Sequence, residues 1–220
     1  MTFSILACDP ENGTIGGAAA TGSLCVGGWV LRGSLRAGMS ASQGAAPSTF
    51  WGEDVLSVMA HGTDASKAVA HVVEPDAGRD YRQLAAMDLS GSTAAFTGKE
   101  NTPEMGSRKF SNGIASGNML ARVEVLDAMA EVMTGSGPLD ARLLDAISAA
   151  QAAGSDSRGL LSAALLILHP DSAPLTLRVD HHTDDPIGAL RDLHHRATSG
   201  EYNAWARQVP TMNDRSRVLD

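Results

Sequence analysis

Side chains that could bind a metal or activate a nucleophile are few in this chain, and only one stretch gathers several of them. That stretch is Asp180-His181-His182-Thr183-Asp184-Asp185. Its residue types suit a divalent cation. Adjacent histidines on an extended segment point to opposite faces, however, so both rarely reach one ion. A solvated turn with Asp185 capping the next helix is the favoured reading. No metal and no other cofactor is expected, since the sequence has no Walker motif, no GxGxxG and no HExxH. Cys8 and Cys25 fit neither a CxxC pair nor a disulfide framework. With no base marked nearby, they read as buried structural thiols. His61 and His71 fall near helix ends, where an imidazolium suits the dipole. His194 and His195 are expected on the solvent side of the last helix.

Two polar loops carry other chemistry. Ser116-Gly117-Asn118 precedes an apolar pattern at helical spacing, which gives Ser or Asn the role of an N-cap. Asp156 and Arg158 read as an ion pair within a loop.

The elements that would position these groups come in blocks. Thr2 to Cys8 and Thr14 to Thr21 predict two strands joined at Asn12-Gly13, a strong hairpin signal. Residues 27–43 read as a further pair of strands or a glycine-broken loop. Apolar spacing predicts two helices between Val55 and Val72, the second capped by Thr63 or Asp64. Strands are expected at Arg82–Asp88, Thr93–Thr97 and Phe110–Ala115. Helices are expected over 118–133 and 139–152, with Pro138 in a first turn. Strands at 162–168 and 175–179 and a helix at 187–196 complete the order. Strands and helices in blocks disfavour a doubly wound sheet and predict α+β layers. One domain is expected over residues 1–198, followed by a polar C-terminal tail or arm at 199–220.

Composition narrows the function classes. The 220 residues carry a net charge of −8 with 43 % hydrophobic and 19 % charged residues. That is globular composition. The acidic balance disfavours nucleic acid as a partner. The longest apolar run, Ala163–Leu168, is too short to cross a bilayer, and no basic amphipathic face suggests membrane binding. The first ten residues lack the pattern of a signal peptide, so a cytoplasmic protein with free thiols is expected.

Five separated segments carry a family resemblance. They are residues 2–13 (TFSILACDPENG), 36–43 (RAGMSASQ), 114–129 (IASGNMLARVEVLDAM), 153–166 (AGSDSRGLLSAALL) and 178–187 (RVDHHTDDPI). In this order they resemble the bacterial and archaeal domain of unknown function 1028, over about residues 2–198. The block order likewise resembles the N-terminal-nucleophile hydrolases, whose proteasome-like fold is a four-layer αββα sandwich. The resemblance implies that fold here, with Thr2 opening a central strand.

It also implies a site. In such enzymes the first residue of the mature chain attacks through its hydroxyl, and its own α-amine takes the proton. An α-amine titrates at about 7.7–8.0, close to working pH. Thr2 would be that nucleophile once Met1 is removed. Gly117 or Asn118 would offer a backbone N–H to the oxyanion from a helix N-terminus. Asp156 and Arg158 would correspond to the Asp-x-x-Ser-Gly loop that orients the nucleophile, one residue shorter here. Ser116 and Gln43 are candidates for binding substrate. Gln43 stands near the place of the proteasome lysine but carries no charge, and no lysine precedes Lys67. Gly22 stands where the family usually has a cation. Thr2, Gly117, Asn118 and Asp156 are expected to converge on one cleft. The implied activity is hydrolysis of an amide bond in a small amide or peptide-like metabolite. The rival is a catalytically silent relative that binds a small ligand in the same cleft. Exposed edges in this fold imply a homo-oligomer, a dimer by preference.

Overall fold

The computed structural model describes residues 2–154 and 159–219. In chain order its strands are β1 (Thr2–Asp9), β2 (Thr14–Thr21), β3 (Leu31–Ser34), β4 (Gly38–Gly44), β5 (Arg82–Asp88), β6 (Thr93–Thr97), β7 (Glu104–Phe110), β8 (Gly113–Leu120), β9 (Ser162–Leu168) and β10 (Leu175–Val179). Its helices are α1 (Val26–Trp29), α2 (Thr49–Ala60), α3 (Ala65–Val73), α4 (Glu124–Val132), α5 (Leu139–Ala152), α6 (Pro186–Ala197) and α7 (Gly200–Ala206).

The β1–β2 hairpin forms where the sequence predicts it. Gly13 turns the chain at φ 74°, a left-handed value that costs glycine little. The register runs from Thr2↔Thr21 to Asp9↔Thr14. This hairpin is the centre of a six-stranded sheet ordered β10-β9-β2-β1-β8-β7, and a second sheet is ordered β3-β4-β5-β6. Every pairing is antiparallel.

Side-chain alternation makes four layers. Phe3, Ile5 and Ala7 point from β1 to α4, α5 and α6, packing with Leu126, Leu143, Ile147 and Leu190. Leu6 and Cys8 point the other way and meet Met39 and Met87 of the second sheet. Leu84 and Ala86, on the outer face of that sheet, pack under Val55 and Val69 of α2 and α3. Each fully buried large side chain contributes about 1.5–3 kcal/mol. The layers are therefore helices, six strands, four strands, helices: the expected αββα sandwich. At Gly38, φ is 125°, and a Cβ there would sit 2.0 Å from the Met87 carbonyl oxygen. Only glycine permits this approach of β4 to β5.

One expected helix starts later than its pattern suggests. Met119, Leu120, Val123, Leu126 and Met129 lie at helical spacing, yet residues 113–120 are strand β8 and α4 begins at Glu124. Pairing to β1 on one side and β7 on the other overrides the local pattern. The expected strand at 110–115 is two strands that meet at a tight turn, where Asn112 takes φ 62°. Pro138 is the N-cap of α5 rather than part of its first turn. Asp64 caps α3 and Asp185 caps α6, each accepting a backbone N–H. Within the C-terminal segment, residues 200–206 are helical. Among the described residues no helix is long and apolar enough to cross a membrane.

Candidate functional site

The space between the two sheets changes character along the strands. Across β1 and β8 its rungs read Leu6–Ile114, Ser4–Ser116 and Thr2–Asn118. Across β4 and β5 they read Met39–Met87, Ala41–Ala85 and Gln43–Gln83. Both series run from apolar to polar, and the two polar ends meet. Gln43 Nε2 lies 3.4 Å from the Thr2 carbonyl oxygen, across the gap between sheets.

Each polar residue at this end has a defined partner set. Thr2 Oγ1 lies 3.0 Å from Thr21 Oγ1, its neighbour on β2. Gln43 Nε2 donates to Gln83 Oε1 at 2.7 Å. Gln83 Nε2 faces the carbonyl oxygens of Gly117 (2.8 Å) and Gly106 (3.1 Å) and Thr97 Oγ1 (2.8 Å). Two carbonyls fix the orientation of the Gln83 amide, and through it that of Gln43. Gln43 must present its nitrogen to Gln83, which leaves Oε1 as an acceptor. That atom and Asn118 Oδ1 are buried with no hydrogen-bond partner. Gln43 and Asn118 are each 1 % exposed, so both acceptors are costly to leave unmet.

The backbone is also irregular here. Glu104 pairs with Leu120 and Gly106 with Gly117, so Asn118 and Met119 together oppose one residue of β7. This is a bulge in β8, and Met119 adopts φ 57° within it. Bulges re-aim side chains and are frequent beside active sites. A methionine held in the left-handed region costs of order 1–3 kcal/mol and marks a place where the surroundings impose the conformation. Asn101 holds both sides of the bulged site. Its carbonyl accepts from Met119 N at 3.0 Å. Its side-chain Oδ1 accepts from Ala45 N at 2.8 Å, two residues beyond Gln43.

The residues singled out in the sequence fare differently. Thr2, Gln43, Asn118 and Gly117 lie at the same end of the sandwich. Gly117 and Asn118 are in a strand interior to its sheet, not at a helix N-terminus, so no helix dipole acts on them and the capping role is corrected. Ser116 lies one rung deeper, 1 % exposed, with Oγ 3.3 Å from Ser4 Oγ. Asp156 and Arg158 lie outside the described residues. Gln83 and Asn101 were not anticipated, because nothing local distinguishes a buried glutamine or asparagine before the pairing is known. A cavity of about 700 Å³, lined by Asp9, His169 and Trp205 among others, opens at the other end of β1 and touches none of the Thr2 group.

His182 Nδ1 accepts from the backbone N of Asp185 at 3.0 Å, which ties the 180–185 turn. Among the described residues no three His, Cys, Asp or Glu side chains converge as metal ligands. His194 is not on the solvent side: its Nε2 lies 2.7 Å from Asp140 Oδ2 on α5. That contact holds the Asp140 carboxyl below its ordinary range, against the opposing effect of burial. Cys8 is buried, and burial, with Asp9 and Asp88 nearby, pushes its thiol up. Cys25 is only half-buried.

A family model covers most of the chain, matching residues 2–190. The chain belongs to the Family of unknown function (DUF1028). A crystal structure of a family protein from Silicibacter pomeroyi is 62 % identical, with a TM-score of 0.96, over 100 % of this chain and 96 % of that one. The likeness therefore extends past the family model into α7 and the C-terminal segment. No curated protein matches the chain.

Proposed function

We propose that this family member is an amide-bond hydrolase of N-terminal-nucleophile type, acting on a small amide or peptide-like metabolite. The observation that carries the reading is the position of Thr2. Its hydroxyl opens an interior strand and faces the inter-sheet space at the end where polar side chains gather and two buried acceptors lack partners. A threonine hydroxyl is a poor nucleophile at neutral pH and needs an adjacent base. The α-amine of Thr2, freed by removal of Met1, is that base.

In the proposed reaction Thr2 Oγ1 attacks the amide carbon and its proton passes to the α-amine. Negative charge develops on the former carbonyl oxygen. Gly117 and Asn118 stabilise it, with the Asn118 side-chain amide on the same rung as Thr2. The ammonium returns its proton to the leaving nitrogen as the C–N bond breaks, leaving an ester on Thr2. Water, deprotonated by the amine, then releases the acid. Asp156 and Arg158 orient the nucleophile, and Ser116 and Gln43 contribute to substrate binding. The protein acts in the cytoplasm, as a homo-oligomer, a dimer by preference, whose 1–198 unit carries the site and whose 199–220 segment is a tail or arm.

The test compares two preparations on a panel of small amides: one processed to Thr2, one with Met1 held by a tag. Turnover confined to the processed form is expected. Equal turnover by both eliminates the mechanism. Binding without turnover by the processed form favours the silent ligand-binding relative.

A further inference from the structure

The two unmatched acceptors beside Thr2 ask what donor they are built for. Gln43 Oε1 and Asn118 Oδ1 come from different sheets, on residues 1 % exposed, and converge on the same strand end. Both atoms are sealed so closely that a water molecule cannot touch them. A donor that belongs to the chain itself can meet them without the site having to open. Asn118 is the cross-strand neighbour of Thr2 on the same face. The Gln43 amide already reaches the backbone of Thr2 through its carbonyl oxygen, at 3.4 Å. Cleavage of the Met1–Thr2 bond turns one backbone N–H of Thr2 into an amino group with two or three.

We propose that Gln43 and Asn118 are positioning residues that accept hydrogen bonds from the freed α-amino group of Thr2, with Gln83 fixing Gln43 for that task. The inference rests on the Thr2 reading above and adds what holds the base. Acceptors on the amine aim its lone pair and, when it has taken the nucleophile's proton, bind the resulting ammonium. Gln83 contributes by orientation: its own amide is locked by the Gly117 and Gly106 carbonyls, so Gln43 has one way to face. The orphaned atoms are then a feature of the unprocessed chain, and processing supplies their partners.

The measurement is the titration of the Thr2 α-amine in full-length protein processed to Thr2, read by NMR from its nitrogen and Cα shifts. Asn118→Leu and Gln43→Met each remove an acceptor at similar size and are expected to lower the amine pKa by about one unit. Asn118→Asp places a carboxylate there and is expected to raise it by a similar amount or more. A residue that only supports packing does not move the value in opposite directions with these two changes. Amide spectra establish which variants remain folded. Should Asn118→Leu unfold, Asn118→Asp and Gln43→Met still decide the matter. Identical titration in the folded variants and the parent overturns the proposal. The readout needs no turnover, so a processed protein that hydrolyses nothing sinks the hydrolase reading and leaves this one standing on its own result.

Discussion

Replacing Gln83 with leucine tests the polar junction between the sheets most directly. Leucine nearly matches glutamine in volume, so little cavity forms and the effect isolates hydrogen bonding. Gln83 is completely buried. Its oxygen accepts from Gln43, and its nitrogen faces three acceptors, of which two protons can serve two at a time. The substitution therefore removes three hydrogen bonds, worth about 1 kcal/mol each. It also strands the Gln43 amide and the Gly117 carbonyl out of reach of solvent, which brings the total to about 3–5 kcal/mol. With a urea slope of about 2 kcal/mol/M, the unfolding midpoint falls by about 1.5–2.5 M. Gln151→Leu, on the exposed side of α5, is the control and is expected within about 0.5 kcal/mol of the parent. Equilibrium urea unfolding followed by far-UV circular dichroism gives both values. A loss below about 1 kcal/mol for Gln83→Leu refutes the argument, because it means the junction is hydrated or rearranges without cost.

Other expectations follow from the same geometry. Gly38→Ala forces a Cβ to 2.0 Å from the Met87 carbonyl oxygen at φ 125°. It is expected to cost at least about 3 kcal/mol or to prevent folding, read as soluble yield and thermal midpoint. Asp140 is held below its ordinary pKa first by the His194 hydrogen bond. A depressed carboxyl stabilises the fold above its unfolded pKa of about 3.9 and loses that contribution as pH falls through the lower folded value. Asp140→Asn is thus expected to flatten the acid limb of stability below about pH 4, and an unchanged limb in pH-dependent urea titrations counts against the pairing. For the processed protein, Thr2→Ala is expected to abolish amide turnover and Thr2→Ser to retain part of it. Turnover by Thr2→Ala at the parent rate removes Thr2 from the chemistry.

Local sequence made the hairpin, the sheet pairs and the outer helices legible, for identifiable reasons. Asn12-Gly13 between apolar runs has few alternatives to a tight turn. Leu139–Ala152 carries a helical stripe with no competing partner strand. From residue 116 onward two local signals agree and both point to a helix: Ser116 and Asn118 are good caps, and Met119, Leu120 and Val123 continue the spacing. The decisive interaction was the ladder from Ser4 to Ser116, 112 residues away in sequence, which no local window contains. The same limit hid Gln83 and Asn101. A lone glutamine in Arg82–Asp88 reads as a surface residue until Gln43, Gly117 and Thr97 are brought around it. Gln43 and Asn118 entered through motif resemblance, and the contacts that now define them were outside its reach.

The location of the candidate site also follows from where the fold departs from good packing. At the Leu6 end, the space between sheets obeys every rule: apolar rungs, full burial, regular ladders. At the Thr2 end, two glutamines are buried against each other, two acceptors have no partner and β8 bulges with a methionine at φ 57°. Each departure costs on the order of 1–3 kcal/mol. A leucine pair in place of Gln43 and Gln83 would extend the Met39–Met87 and Ala41–Ala85 series, but it would take the donor from the Gly117 carbonyl and leave Asn118 Oδ1 and the Met119 backbone as they are. The Gln83 hydrogen bonds stabilise the fold, but stability alone gives no reason for the two unmet acceptors or the bulge. Sequences that break local rules in one place, and keep them elsewhere, do so where a function requires it. The broken rules here gather at one end of the space between the sheets, the end at which Thr2 opens β1.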